Sequence, residues 1–194
     1  MDYYAQLVAL VIVTALVMRG YREKNLKYVI IASLILFAFY GLRDYHLGVD
    51  VPTSYQGRFW RMQELSWREV RSFSGGRNVL FFCFIKAFTE YISTDYQLFV
   101  SVIAAFVTIC FGRMIYRYSP NPLQSILYHF GLLFFTFHFD ALKQSIAMAI
   151  LMIALDPLVD RKPFRFILIV LIASRFHFPA LVFLPAYWIT MLKP

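Results

Sequence analysis

Long apolar stretches joined by short basic connections leave this chain few folds to choose from. Residues 3–18, 28–42, 79–92, 97–112, 123–139, 141–155, 164–174 and 178–192 are dominated by aliphatic and aromatic side chains. Backbone amides in lipid have no water to bond, so such segments satisfy them internally, as helices. Of the 194 residues, 60% are hydrophobic and 15% charged, against about 25% charged in soluble domains. The composition predicts an all-α fold, a polytopic transmembrane helical bundle forming a single domain over residues 1–194. A full span takes about 20 residues. Most of these stretches fall short, so short, broken or re-entrant helices are expected.

The net charge of +8 suggests nucleic acid in a soluble protein; here no nucleic-acid partner is expected, because loop charge sets membrane orientation. Arg19, Arg22, Lys24 and Lys27 follow the first stretch, Arg113 and Arg117 the fourth, and Arg161, Lys162 and Arg165 precede the seventh. The first stretch carries its basic residues after the apolar run, the reverse of a secretory signal, and reads as a retained span. Placing all three basic connections in the cytoplasm puts the N-terminus outside. Residues 79–92 then cannot cross and must dip in or lie along the outer face. Lys86 and Glu90, one turn apart on that segment, fit such a position; the alternative is a short span with a buried Lys–Glu pair, which would invert everything downstream. Cys83 and Cys110 lie in apolar runs and read as small hydrophobes.

The connection 43–78 is the one sizeable polar segment, an outer loop in this orientation. Within it, residues 55–71 form an amphipathic helix when projected at 100° per residue. Tyr55, Phe59, Trp60, Met62, Trp67 and Val70 share a face opposite Arg58, Arg61, Glu64, Arg68 and Arg71, with Leu65 a misfit. A helix in the headgroup plane and one packed on the protein's own surface fit equally.

Polar features converge on that outer side. Arg43, Asp44 and Asp50 follow the second stretch, and Arg58 and Arg61 lie on the amphipathic helix. Asp140, Lys143 and Gln144 occupy the corner between two apolar blocks, and Arg175 and His177 interrupt the last one. His129 and His138, inside 123–139, read as structural. Hydrolase, zinc, P-loop and dinucleotide signatures are not found in the sequence. Basic groups with a few carboxylates and an imidazole suit chemistry on a phosphate-bearing substrate. Cations stabilise a departing phosphate while a carboxylate or histidine accepts a proton.

Arg43-x-x-x-x-Gly48-x-Asp50, Tyr96-Gln97-Leu98-Phe99, Lys143-Gln144-Ser145-Ile146-Ala147 and Ala173-Ser174-x-Phe176-His177-x-x-Ala180-Leu181 together resemble the EpsG family. Its members are membrane proteins of exopolysaccharide, capsule and O-antigen clusters, related in role to Wzy polymerases. The chain departs from the family pattern at Ala141 for glycine, Lys143 for arginine, Asp140 for asparagine and Pro179 for serine. The resemblance implies a glycosyltransferase of the bacterial cytoplasmic membrane with its active face outside. It polymerises repeat units from a polyprenyl-pyrophosphate-linked oligosaccharide onto a second lipid-linked unit, without cofactor or metal. It further implies membrane lipid, a chain-length regulator and other assembly proteins as partners, and more spans beyond residue 194.

On this reading Arg43 and Lys143 neutralise the leaving pyrophosphate, assisted by Arg175 or by Arg58 and Arg61. Asp50 or His177 serves as base, Asp44 is a secondary candidate, and Gln144 binds substrate. Two alternatives stay open: a membrane glycosyltransferase adding one sugar from a polyprenyl-phosphate donor, and a transporter of lipid-linked glycan.

Overall fold

The computed structural model describes residues 2–17, 24–48, 50–73 and 75–192, with backbone alone for residues 2–4, 24 and 25. Arg19, Arg22 and the side chain of Lys24, used above for orientation, lie outside these. Among the described residues the fold is all-helical. Helices α1 (Asp2–Val17), α2 (Lys24–Gly41), α6 (Tyr96–Tyr118), α9 (Leu142–Val159) and α10 (Pro163–Phe176) supply the long elements. Between them lie α3 (Gln56–Glu64), α4 (Trp67–Phe73), α5 (Val79–Tyr91), α7 (Pro122–Gly131) and α8 (Phe134–Asp140), with α11 (Ala186–Ile189) last. Helices α6 and α9 are long and apolar enough to cross a membrane, and residues 5–17, 26–41 and 178–189 form shorter apolar helices.

Helix α6 is the hub, packed on α2 along one side and on α9 along another. Its start is set by Asp95, whose carboxylate accepts the amide hydrogens of Gln97 (2.8 Å) and Leu98, groups that a helix N-terminus otherwise leaves unpaired. Gly112 lets α6 approach Ser33 of α2, where a side chain would collide. Small residues at a close helix crossing are how membrane bundles gain packing without hydrophobic drive.

These contacts sort the helix ends. At one end, Gln97 Nε2 donates to the carbonyls of Gly41 (3.0 Å) and Arg43 (2.9 Å), and Ser101 Oγ to that of Gly41 (2.5 Å). The C-terminus of α2, the N-terminus of α6 and the α8–α9 corner therefore meet. At the opposite end, Asp156 takes Arg113, Arg117 (3.2 Å) and the Tyr118 hydroxyl (2.5 Å), and Lys162 pairs with Asp160 (2.9 Å).

Helix α5 starts and finishes at the first end. Its capping Asn78 accepts the Phe178 amide through Oδ1 (3.1 Å), and its C-terminus leads through Asp95 into α6. A 13-residue helix is about 20 Å long, and α5 packs against α3, α4 and α10. Lys86 and Glu90 pair at 3.4 Å.

The structure differs from the sequence reading in three elements. Residues 55–71 are not one helix: a π-helical turn at Val51–Tyr55 leads into α3, and the backbone turns extended at Leu65. Ser66 restarts the helix, its amide and hydroxyl bonding Glu69 Oε2 at 2.8 and 2.6 Å, a capping box. That break brings the misfit Leu65 against the core. Tyr55, Phe59, Met62 and Val70 are buried on the protein itself, with α3 and α4 against α5, while Trp60 is exposed. Residues 123–139 divide into α7 and α8 at Leu132 and Leu133, the latter with φ +61°. Residues 178–192 continue as a 3-10 helix (Phe178–Phe183) and α11. This segment returns along α10, with Phe183 and Tyr187 rings each 5.7 Å from Phe166.

Candidate functional site

The site is built where α2, α8, α9 and the 43–58 segment meet. Arg43 is buried: 8% exposed, it donates to the carbonyls of Leu47 and Phe139 (2.5 Å) and stacks 4.2 Å above the Phe139 ring. Its charge lies in the field of Asp140. Gly48, at φ +114°, closes the loop over this pair; a Cβ there would stand 2.5 Å from Asp140 Oδ1 and 3.4 Å from the Phe139 carbonyl oxygen. Arg43 thus ties the loop after α2 to the α8–α9 corner, 96 residues on.

Beside it stands a second group around Tyr55. The buried Tyr55 hydroxyl donates to Gln144 Oε1 at 3.1 Å. Burial pushes its pKa up to about 12, so it remains a neutral donor at working pH. The Arg58 guanidinium lies 5.9 Å from the Tyr55 ring centre. Lys143 feels the charges of Arg58 and Asp50, and its own charge acts on His177. Asp50 stands at the start of the π-helical turn without making a capping bond, which leaves the carboxylate exposed for other partners.

His177 lies at the break after α10, its Nδ1 buried and without a hydrogen-bond partner among the described residues. Burial, and then the charge of Lys143, hold its imidazole below the usual histidine range. It is neutral at pH 7 and able to accept a proton. Arg43, Arg58, Lys143, Asp50, Asp140 and His177 therefore share one end of the bundle, with cations in excess.

Three sequence candidates stand apart. Asp44 is exposed and bonds its own neighbour, His46, through amide (2.8 Å) and ring Nδ1 (2.7 Å); these bonds hold its carboxyl below the usual range. Arg61 stacks on Phe73 at 5.3 Å. Arg175 is exposed near the end of α10. Conversely, Tyr55 and Tyr96 were not singled out from sequence. Tyr96 donates to the Val51 carbonyl at 2.8 Å and so holds the π-helical turn. Nor was Phe139, which supplies both a carbonyl and a ring to Arg43. Tyr96 does stand inside the motif quoted above; Tyr55 and Phe139 look like ordinary apolar positions.

His138 keeps its structural reading, with Nδ1 2.8 Å from Ser145 Oγ, and His129 packs 4.1 Å from the Phe111 ring. Among the described residues no three His, Cys, Asp or Glu side chains gather as metal ligands do.

The EpsG family profile matches residues 26–194. This chain belongs to the EpsG family. The match covers every residue of the cluster just described, from Arg43 to His177. Searches of curated proteins and of solved structures found no match.

Proposed function

We propose that this EpsG-family chain is a polytopic protein of the bacterial cytoplasmic membrane that polymerises lipid-linked oligosaccharide repeat units on the outer face. The observation that carries the reading is the gathering of Lys143, Arg58, Asp50 and His177 at the bundle end opposite Arg113, Arg117 and Lys162. Basic loops stay in the cytoplasm, so the cluster faces outward. There α5 lies along the interface, and residues 178–189 descend again.

In the reaction, an acceptor hydroxyl oxygen attacks the anomeric carbon of the donor glycan. The bond from that carbon to the pyrophosphate oxygen breaks. His177 takes the hydroxyl proton, and polyprenyl pyrophosphate leaves with its negative charge met by Lys143 and Arg58. Fixed cations aimed at developing charge are worth more in a dehydrated site than in water. Asp50 keeps Lys143 directed at the phosphate, and Gln144, oriented by Tyr55, bonds a sugar hydroxyl. Arg43 is spent on backbone carbonyls and acts as a positioning residue.

Product length tests the proposal. Vesicles holding the protein and purified lipid-linked repeat unit should yield a ladder of polymer. A single addition favours the one-sugar transferase, and glycan moved across the membrane with no new bond favours the transporter; either overturns the polymerase reading.

A further inference from the structure

Directly beneath Lys143 and His177 lies an apolar cavity of about 260 Å³ walled by Phe84, Ile103, Phe106, Ile146, Ile150 and Phe176. Ile146 and Ile150 follow Lys143 at i+3 and i+7, so cation and cavity share one face of α9. Phe176 immediately precedes His177. Val102, 39% exposed, forms the cavity's outer rim. A larger groove of about 550 Å³ between α2 and α6 ends at Arg113, but that charge is already committed to Asp156. The smaller cavity instead begins one helical turn along α9 from Lys143, which like Arg58 lacks an ion pair among the described residues.

An apolar pocket capped by cations is complementary to an amphiphile with an anionic head. We propose that the cavity seats the first isoprene units of the carrier lipid's tail, placing its phosphate against Lys143 and Arg58; this rests on the polymerase reading above. A tail leaving bilayer lipid gains no hydrophobic energy, because lipid is equally apolar. The cavity therefore contributes position: it fixes the height and direction of the pyrophosphate before the bond breaks.

Photolabelling tests the assignment without turnover. A polyprenyl monophosphate with a diazirine on its first isoprene, in vesicles holding the full chain, should label peptides containing Ile150 or Phe106. Excess unlabelled polyprenyl phosphate should compete the label. Ile150→Trp fills the cavity, and Val102→Trp blocks its rim from a partly exposed position. Both should cut labelling at least fivefold and raise KM about tenfold for the lipid-linked donor, while a methyl pyrophosphate donor is unaffected. Labelling confined to the α2–α6 groove, or unchanged in both variants, overturns the assignment. Competed cavity labelling in a protein that makes no polymer keeps the tail seat and removes the polymerase reading.

Discussion

Gly48 shows how tightly single residues are specified around the site. Its φ of +114° and the 2.5 Å approach to Asp140 leave no room for a methyl group. Gly48→Ala should cost about 1–3 kcal/mol, read as a lower thermal midpoint, with polymer yield falling in parallel. Lys143→Ala is expected to slow turnover on the order of 100-fold, the scale seen when one preorganised charge-stabilising group is lost, with little change in thermal midpoint. His177 carries a pH signature. Its lowered pKa keeps the base form dominant at pH 7, so activity should fall only as pH drops below the ordinary histidine value near 6.5. Removing the nearby cation makes protonation easier. The residual activity of Lys143→Met should therefore lose its acidic limb at higher pH than the parent; an unmoved limb would count against His177 as base. Arg43, Asp50, Lys143 and His177 stand out in the sequence as candidates because polar groups are conspicuous in apolar surroundings. Tyr55 was not, since a tyrosine on an amphipathic face reads as packing and its hydroxyl partner is 89 residues away.

Among the elements, α3 and α5 decide whether the outer connection is an ordered platform. Phe59, 0% exposed, packs within 5.1 Å of both Tyr96 and Phe99. Phe59→Ala should destabilise by about 3–5 kcal/mol, while Trp60→Ala at the neighbouring exposed position should cost under about 0.5 kcal/mol; equal effects in thermal unfolding would mean that α3 rests on lipid instead. The helix content was readable from apolar runs, as was the interruption at 175–179, yet the breaks at Leu65 and Leu133 and the 3-10 form of the last segment were not. The break at Leu65 depends on a local Ser66–Glu69 box overriding a smooth amphipathic projection. At Leu133 a left-handed residue occurs where no glycine or asparagine announces it. After Pro179, a 3-10 segment is held against Phe166 by tertiary contacts that periodicity does not encode.

For the whole molecule, the claim is an asymmetry between two ends: an outward cluster for an anionic, lipid-linked glycan and a cytoplasmic end held by Asp156 and its cations. Single cysteines at Asn78, Ser93 and Ser119, in a background without Cys83 and Cys110, test the asymmetry. An impermeant reagent added outside should label 78 and 93 and spare 119. Loop charge alone suggests the proposed orientation; which groups meet within the cluster required the fold. The most direct measurement of the central claim is polymer synthesis by Lys143→Ala and His177→Ala proteins in vesicles, each checked for parental thermal stability. Both should lose the polymer ladder, with turnover down about 100-fold or more. A full-length ladder at parental rate from both would contradict the account.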